Sequence, residues 1–183
     1  MADDHVSIAD TARIMAVPAG ITKAEAIAIA RRHDVVVLEG RVKIEKYWDG
    51  DRVPYEVVES GPNLGLTAGI TLLWQLAAAL GGTAWSSSNA RIAVGTSTTA
   101  ASAGQTALVT ESARQIVDSA PTVSGATITF QATFGTGSAN VAWNEIGVIN
   151  ASSGGTLLNR LVQNLGTKTS SASWVATVAL TAA

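Results

Sequence analysis

Cysteine is absent from this 183-residue chain, which removes disulfides and zinc–thiolate centres together. Its absence also fits assembly in a reducing cytosol. Histidine is nearly absent: His5 and His33 stand alone, separated by a proline-containing segment, so a metal site would need them brought together with a further ligand. Charge thins out along the chain. From residue 91 to the end the charged side chains are Arg91, Glu111, Arg114, Asp118, Glu145, Arg160 and Lys168, with no histidine and no carboxylate cluster. Ser and Thr are plentiful there, but no histidine accompanies them as base, so a Ser-His-acid triad has no support. A half this poor in proton-transfer and metal-binding groups points away from catalysis and toward packing.

Long apolar runs are also missing. Residues 64–80 come nearest, but they fall short of the roughly 20 apolar residues of a membrane span, and Thr67, Thr71 and Gln75 interrupt them. Met1 is followed by Asp3 and Asp4 rather than a basic stretch, so no secretory signal is expected. A net charge of −2 gives no general attraction for nucleic acid or an anionic membrane. Charged residues are 14% of the chain and hydrophobic residues 47%, a balance that would leave a lone monomer sticky and favours a surface covered by partners.

What is present divides into residues 1–34, an extended arm and a short helix, and residues 35–183, a β-rich domain with an inserted apolar helix near 67–80. The arm covers residues 1–20. Thr22 and Glu25 have the capping-box spacing, and Arg31, Arg32 and His33 suit a helix C-terminus. Residues 35–38 are an apolar, valine-rich run, and residues 40–48 alternate charged residues with Val42 and Ile44. Asp49-Gly50 marks a hairpin, with residues 52–59 returning as an edge strand because of Pro54. Residues 67–80 are apolar nearly all round, which predicts a deeply buried helix stopped by Gly81-Gly82. Trp74 and Trp85 flank its end as core anchors.

Beyond residue 90 the period is two. Strands are expected at 91–94, 112–117, 126–134, 140–149, 156–162 and 173–181, separated by Gly- and Ser-rich turns. The fold class is therefore mainly β: an antiparallel β-sandwich with one or two α-helices and an extended N-terminal arm. The low-complexity stretch 95–106 is expected to be exposed or to lie on a neighbour.

Candidate sites are few. Asp49-Gly50-Asp51 lacks the further ligands of a calcium loop and is read as a hairpin tip. Gly135-Thr136-Gly137 and Gly154-Gly155-Thr156 lack the spacing and the lysine of a phosphate loop. Asn150-Ala151-Ser152 matches a glycosylation sequon without a secretion signal to support it. Glu145 stands out because its neighbours are almost all apolar. It needs a cation, which Arg91, Arg114 or Arg160 could supply, and a structural ion pair holding two strands in register is favoured over a general acid.

The β half resembles a group of small virion structural proteins of tailed bacteriophages. The resemblance is carried by Arg91-Ile92-Ala93-Val94-Gly95, by Glu111 with Arg114, and by the strand Thr127-Ile128-Thr129-Phe130-Gln131-Ala132-Thr133-Phe134. It continues in Ala142-Trp143-Asn144-Glu145-Ile146-Gly147-Val148, in Leu157-Leu158-Asn159-Arg160 and in a late strand bearing Trp174. Parts of the pattern are similar to tail-fibre modules, and the chain departs from it at Gly95-Thr96-Ser97-Thr98, where an acidic Gly–Asp turn is expected. The resemblance implies a capsid decoration or cement protein, located in the virion and assembled in the host cytoplasm. Its partners would be copies of itself, as a trimer, and the major capsid protein. The alternative it implies is a tail, neck or fibre-attachment protein. No catalytic residue, cofactor, metal, nucleic acid, membrane or small-molecule substrate is expected in either case.

Overall fold

The computed structural model describes residues 38–61 and 63–182. The expected arm (1–20), the helix at 22–33, both histidines and residues 35–37 lie outside the described residues. Among the described residues ten strands and one helix form. They are β1 (Leu38–Trp48), β2 (Glu56–Glu59), β3 (Leu64–Gly65), α1 (Thr67–Ala77), β4 (Arg91–Gly95), β5 (Glu111–Ile116), β6 (Thr122–Ser124), β7 (Thr127–Phe134), β8 (Glu145–Ile149), β9 (Asn159–Val162) and β10 (Ala172–Ala182). The pairings are antiparallel and build two five-stranded sheets, ordered β2-β1-β10-β7-β6 and β3-β9-β8-β4-β5. This is the mainly β, antiparallel sandwich that the two-residue period predicts.

The first sheet shows how that period becomes a core. In β10 the residues Ala172, Trp174, Ala176, Val178 and Leu180 are buried, and the residues between them are not. Their cross-strand partners continue the same face: Val178 lies between Val42 of β1 and Phe130 of β7, and Ala176 between Ile44 and Ala132. Neighbouring apolar pairs on one face are the stabilising unit of a sheet. The opposite face carries Thr127, Gln131, Thr177 and Thr181, with Thr127 and Thr181 hydroxyls 2.8 Å apart.

Trp143 stands at the centre of the core, fully buried, with edge-on contacts to Phe134 at 4.7 Å and Trp174 at 4.8 Å between ring centroids. Its indole N–H donates to the Ala139 carbonyl, so the one polar atom of the ring is satisfied. Removing such a ring costs about 3–5 kcal/mol. The backbone of Trp143 bonds Gly166 and Leu165 rather than continuing a strand, so the expected strand 140–149 is regular only from Glu145 to Ile149.

The turn at Asp49-Gly50 forms, with Gly50 at φ +84°. The helix departs from its expected burial. α1 buries only Gly69 and Leu72, and Trp74 is 58% exposed, so a helix that is apolar nearly all round lies on the flank of the sandwich rather than inside it. Gly69 sets that approach: a Cβ there would stand 2.5 Å from the Leu158 Cα and 2.8 Å from the Leu157 carbonyl oxygen. The helix stop also differs. Ala79, at φ +55°, takes the left-handed position, with Ala79 N–H donating to Leu76 and Leu80 N–H to Gln75. Those bonds form a Schellman cap with Ala79 at its left-handed position, two residues before Gly81, which the sequence offers for the purpose.

Candidate functional site

Among the described strands β8 alone is buried along its whole length, from Glu145 to Ile149. Ile146 and Val148 face the inter-sheet core. Ile149 faces the other way, into a small second core with Leu66, Ala93, Leu108 and Leu157. Glu145 is buried with them at 0% exposure, and a carboxylate in that position must be paired and hydrogen-bonded.

It is both. Arg160 on β9 donates Nε to Glu145 Oε2 at 2.8 Å and is equally buried. The Val109 N–H reaches Oε2 at 2.9 Å and the Thr110 N–H reaches Oε1 at 2.6 Å. Arg160 extends the network: Nη1 donates to Gln105 Oε1 at 3.0 Å and Nη2 to the Thr99 carbonyl at 3.0 Å. Gln105 Oε1 accepts in turn from the Ser102 N–H. Asn144 Nδ2 donates to the Thr96 carbonyl, and the Thr67 N–H to the Ala103 carbonyl. The low-complexity stretch, expected to be exposed or to lie on a neighbour, is exposed and is strapped to its own sheet. It is held from beneath by Arg160 of the ion pair together with Asn144 and the Thr67 N–H.

Of the three arginines that the sequence offers to Glu145, the structure brings only Arg160 to it. Arg91 Nη1 donates to the Asn89 carbonyl at 2.8 Å. Arg114 pairs with Glu111, Nη2 to Oε2 at 2.8 Å, and also donates to the carbonyls of Ala151 and Gly154. Gly95 lets the carboxylate in, since a Cβ there would stand 2.5 Å from Glu145 Oε1. Both oxygens of Glu145 accept from the protein itself, an arrangement built to hold a loop rather than to deliver a proton.

A shallow cleft of about 460 Å³ opens beside this network, lined by Asn63, Leu64, Thr98, Ala100, Ala101, Arg160, Leu161 and Val162. Its single ionisable group is Arg160, already engaged with Glu145, Gln105 and Thr99. Among the described residues no group of three His, Cys, Asp or Glu side chains is placed to hold a metal. Asn150 of the sequon is 2% exposed, with Nδ2 donating to the Thr83 carbonyl and Oδ1 accepting from Thr156 N–H, so its amide is inside the fold.

Two features escape a reading of the sequence. Lys168 is 1% exposed, and its Nζ donates to the Gly135 carbonyl at 2.7 Å and Asn140 Oδ1 at 2.9 Å, with no carboxylate paired to it among the described residues. Burial pushes its ammonium below the ordinary value. Nothing in Gly166-Thr167-Lys168-Thr169 distinguishes it from a surface lysine. The second is the exposed hairpin tip, where Trp48 and Tyr55 stack at 4.3 Å and 18° beside exposed Val53 and Val57. Trp48 shares the parity of buried Val42, Ile44 and Lys46, so the alternation of its strand points to burial and gives no signal of this exposed stack.

These features define a class: a two-sheet antiparallel sandwich whose buried polar groups serve its own loops. No protein-family model, curated protein or solved structure matches the chain.

Proposed function

We propose that this chain is a non-catalytic structural component that associates with copies of itself and stabilises a larger assembly. The observation that carries this reading is where its buried chemistry goes. Glu145, Arg160, Lys168 and Asn150 all bond backbone or side chains of their own chain, and none is presented to a cleft as a free reactive group. What faces solvent instead is apolar: Trp48, Val53, Tyr55 and Val57 on one hairpin and Trp74 and Leu80 at α1. Rigid loops and exposed aromatic anchors suit a part that clamps neighbours.

The finer reading rests on the resemblance of residues 91–174 to small virion proteins of tailed phages. On it, the protein is a capsid decoration or cement component that binds the major capsid protein and holds the shell against internal pressure. Many weak, repeated contacts on an icosahedral surface would add by avidity. Quantitative mass spectrometry of purified virions, with heads and tails separated, tests it. The expected result is a copy number comparable to that of the major capsid protein in the head fraction. A few copies travelling with tails would move the role to the neck or fibre, and absence from virions would overturn both.

A further inference from the structure

The two sheets end in four edge strands, β2 and β6 in one, β3 and β5 in the other. An edge offers unpaired N–H and C=O groups, so each is a template for another chain unless something blunts it. Three of these are blunted. β3 has two residues and β6 three. β2 reads Glu56-Val57-Val58-Glu59. It is short and carries a glutamate at each end, and charged side chains on an edge discourage pairing.

β5 is different. It is six residues long, and its pairing with β4 sets Arg91 opposite Ile116, followed by the bond from Val117 N–H to the Ala90 carbonyl. Backbone groups alternate in direction along an antiparallel ladder. Gln115 and Ala113 therefore point at β4, whereas the N–H and C=O groups of Arg114 and Ile116 point to the open side. There they meet no partner among the described residues.

We propose that a second copy of this chain pairs along that edge, β5 against β5, antiparallel about a two-fold axis between Ser112 and Ala113. The strand is self-complementary in that register. Glu111 of each copy falls opposite Arg114 of the other. In the single chain these two side chains already share a face, because the ladder shifts register between Val94 and Gly95, and they pair at 2.8 Å. The dimer then closes four alternating charges into one network, which holds better than isolated pairs. At the two ends, exposed Ile116 of one copy meets exposed Val109 of the other. The result is one continuous sheet through both molecules with an isologous interface, and a two-fold assembly in place of the three-fold one implied by the phage resemblance. The pairing requires nothing of a virion, so it stands or falls separately from the proposed role.

Sedimentation of the purified full chain over a wide concentration range tests it. The expected species is a dimer of twice the 18.7 kDa chain mass. Ile116→Pro removes an N–H that faces the open edge, a place where proline is tolerated in a strand; it should leave circular dichroism unchanged and weaken dimerisation at least about tenfold. Ser112→Cys, the sole thiol of its variant, should form an interchain disulfide under mild oxidation, while Ser170→Cys, exposed just before β10 of the other sheet, should not. A monomer at every concentration, a trimer, or a dimer indifferent to Ile116→Pro would overturn the proposal. Should Ile116→Pro fail to fold, the Ser112→Cys crosslink decides: its absence overturns the pairing and its presence supports it.

Discussion

Arg160 on β9 sits diagonally across from Glu145 on β8, two positions from Val162, the residue that faces Glu145 in the ladder. Their closest atoms are 2.8 Å apart and neither side chain reaches solvent. A buried pair of this kind gains little over well-packed apolar residues, yet breaking it from one side strands a charge. Its value here is positional, because the same carboxylate anchors the backbone at Val109 and Thr110 while the same guanidinium anchors Thr99 and Gln105.

Glu145→Gln should therefore destabilise the fold by about 3–5 kcal/mol in urea unfolding, the cost of leaving Arg160 buried without its counter-charge. Glu145→Leu combined with Arg160→Met should be more stable than either single change. Limited proteolysis should show cleavage rising within residues 96–110 in each of these variants. If the double variant proved the least stable, the pair would be a net source of stability and not chiefly a strap.

Much of this architecture is legible in the sequence, and the reason is local. Strands β7 and β10 alternate apolar residues that are buried with residues that are less so, and their faces can be read from Phe130-Gln131-Ala132 or Trp174-Val175-Ala176 alone. The need of Glu145 for a cation is legible from its apolar neighbours. Which arginine answers it is not, because Arg160 reaches it only through the pairing of β8 with β9. The shallow burial of α1 is likewise set by tertiary contact: Leu72 and Gly69 pack inward while Trp74 finds no covering layer.

Two small-residue changes in and after α1 should move stability in directions opposite to helix propensity. Gly69→Ala ought to help a helix, but its Cβ would meet Leu158 backbone at 2.5 Å, so a loss of about 1–3 kcal/mol is expected. Ala79→Gly ought to be neutral or worse, but Ala79 holds φ +55°, and relief of that strain should gain about 0.5–1 kcal/mol. Chemical denaturation of both variants checks the pair. A stabilised Gly69→Ala would mean that α1 stands further from Leu158 than the structure places it.

Lys168 predicts a pH dependence of definite sign. Its folded-state pKa is lowered from the ordinary 10.5 by burial, so between the two values the unfolded chain binds more protons. The cost of burying the ammonium is fully present at neutral pH. It is relieved as pH rises through the folded value toward 10.5, which means this group makes the fold more stable with rising alkalinity. Lys168→Met should flatten the rise, whatever it does to stability at pH 7. The measurement is the difference in unfolding free energy between the two proteins from pH 7 to 10.5. A difference independent of pH would mean that the ammonium is hydrated in solution.

The five tryptophans separate into two populations that solution spectroscopy can count. Trp85, Trp143 and Trp174 are buried, whereas Trp48 and Trp74 are about half exposed. Iodide, which does not enter a packed core, should quench only the exposed pair, and Trp48→Phe with Trp74→Phe should abolish the quenchable fraction. Both changes should be nearly neutral for stability, since neither ring is part of the buried cluster around Trp143. The β5 dimer leaves the Trp48 hairpin uncovered, because that hairpin belongs to the other sheet, at the edge far from β6. Dimerisation alone should therefore leave Trp48 open to iodide, and protection of Trp48 should appear only when a further partner binds. A Trp48 signal that becomes shielded as the purified protein is concentrated would place the self-contact on the β1–β2 hairpin and remove it from β5.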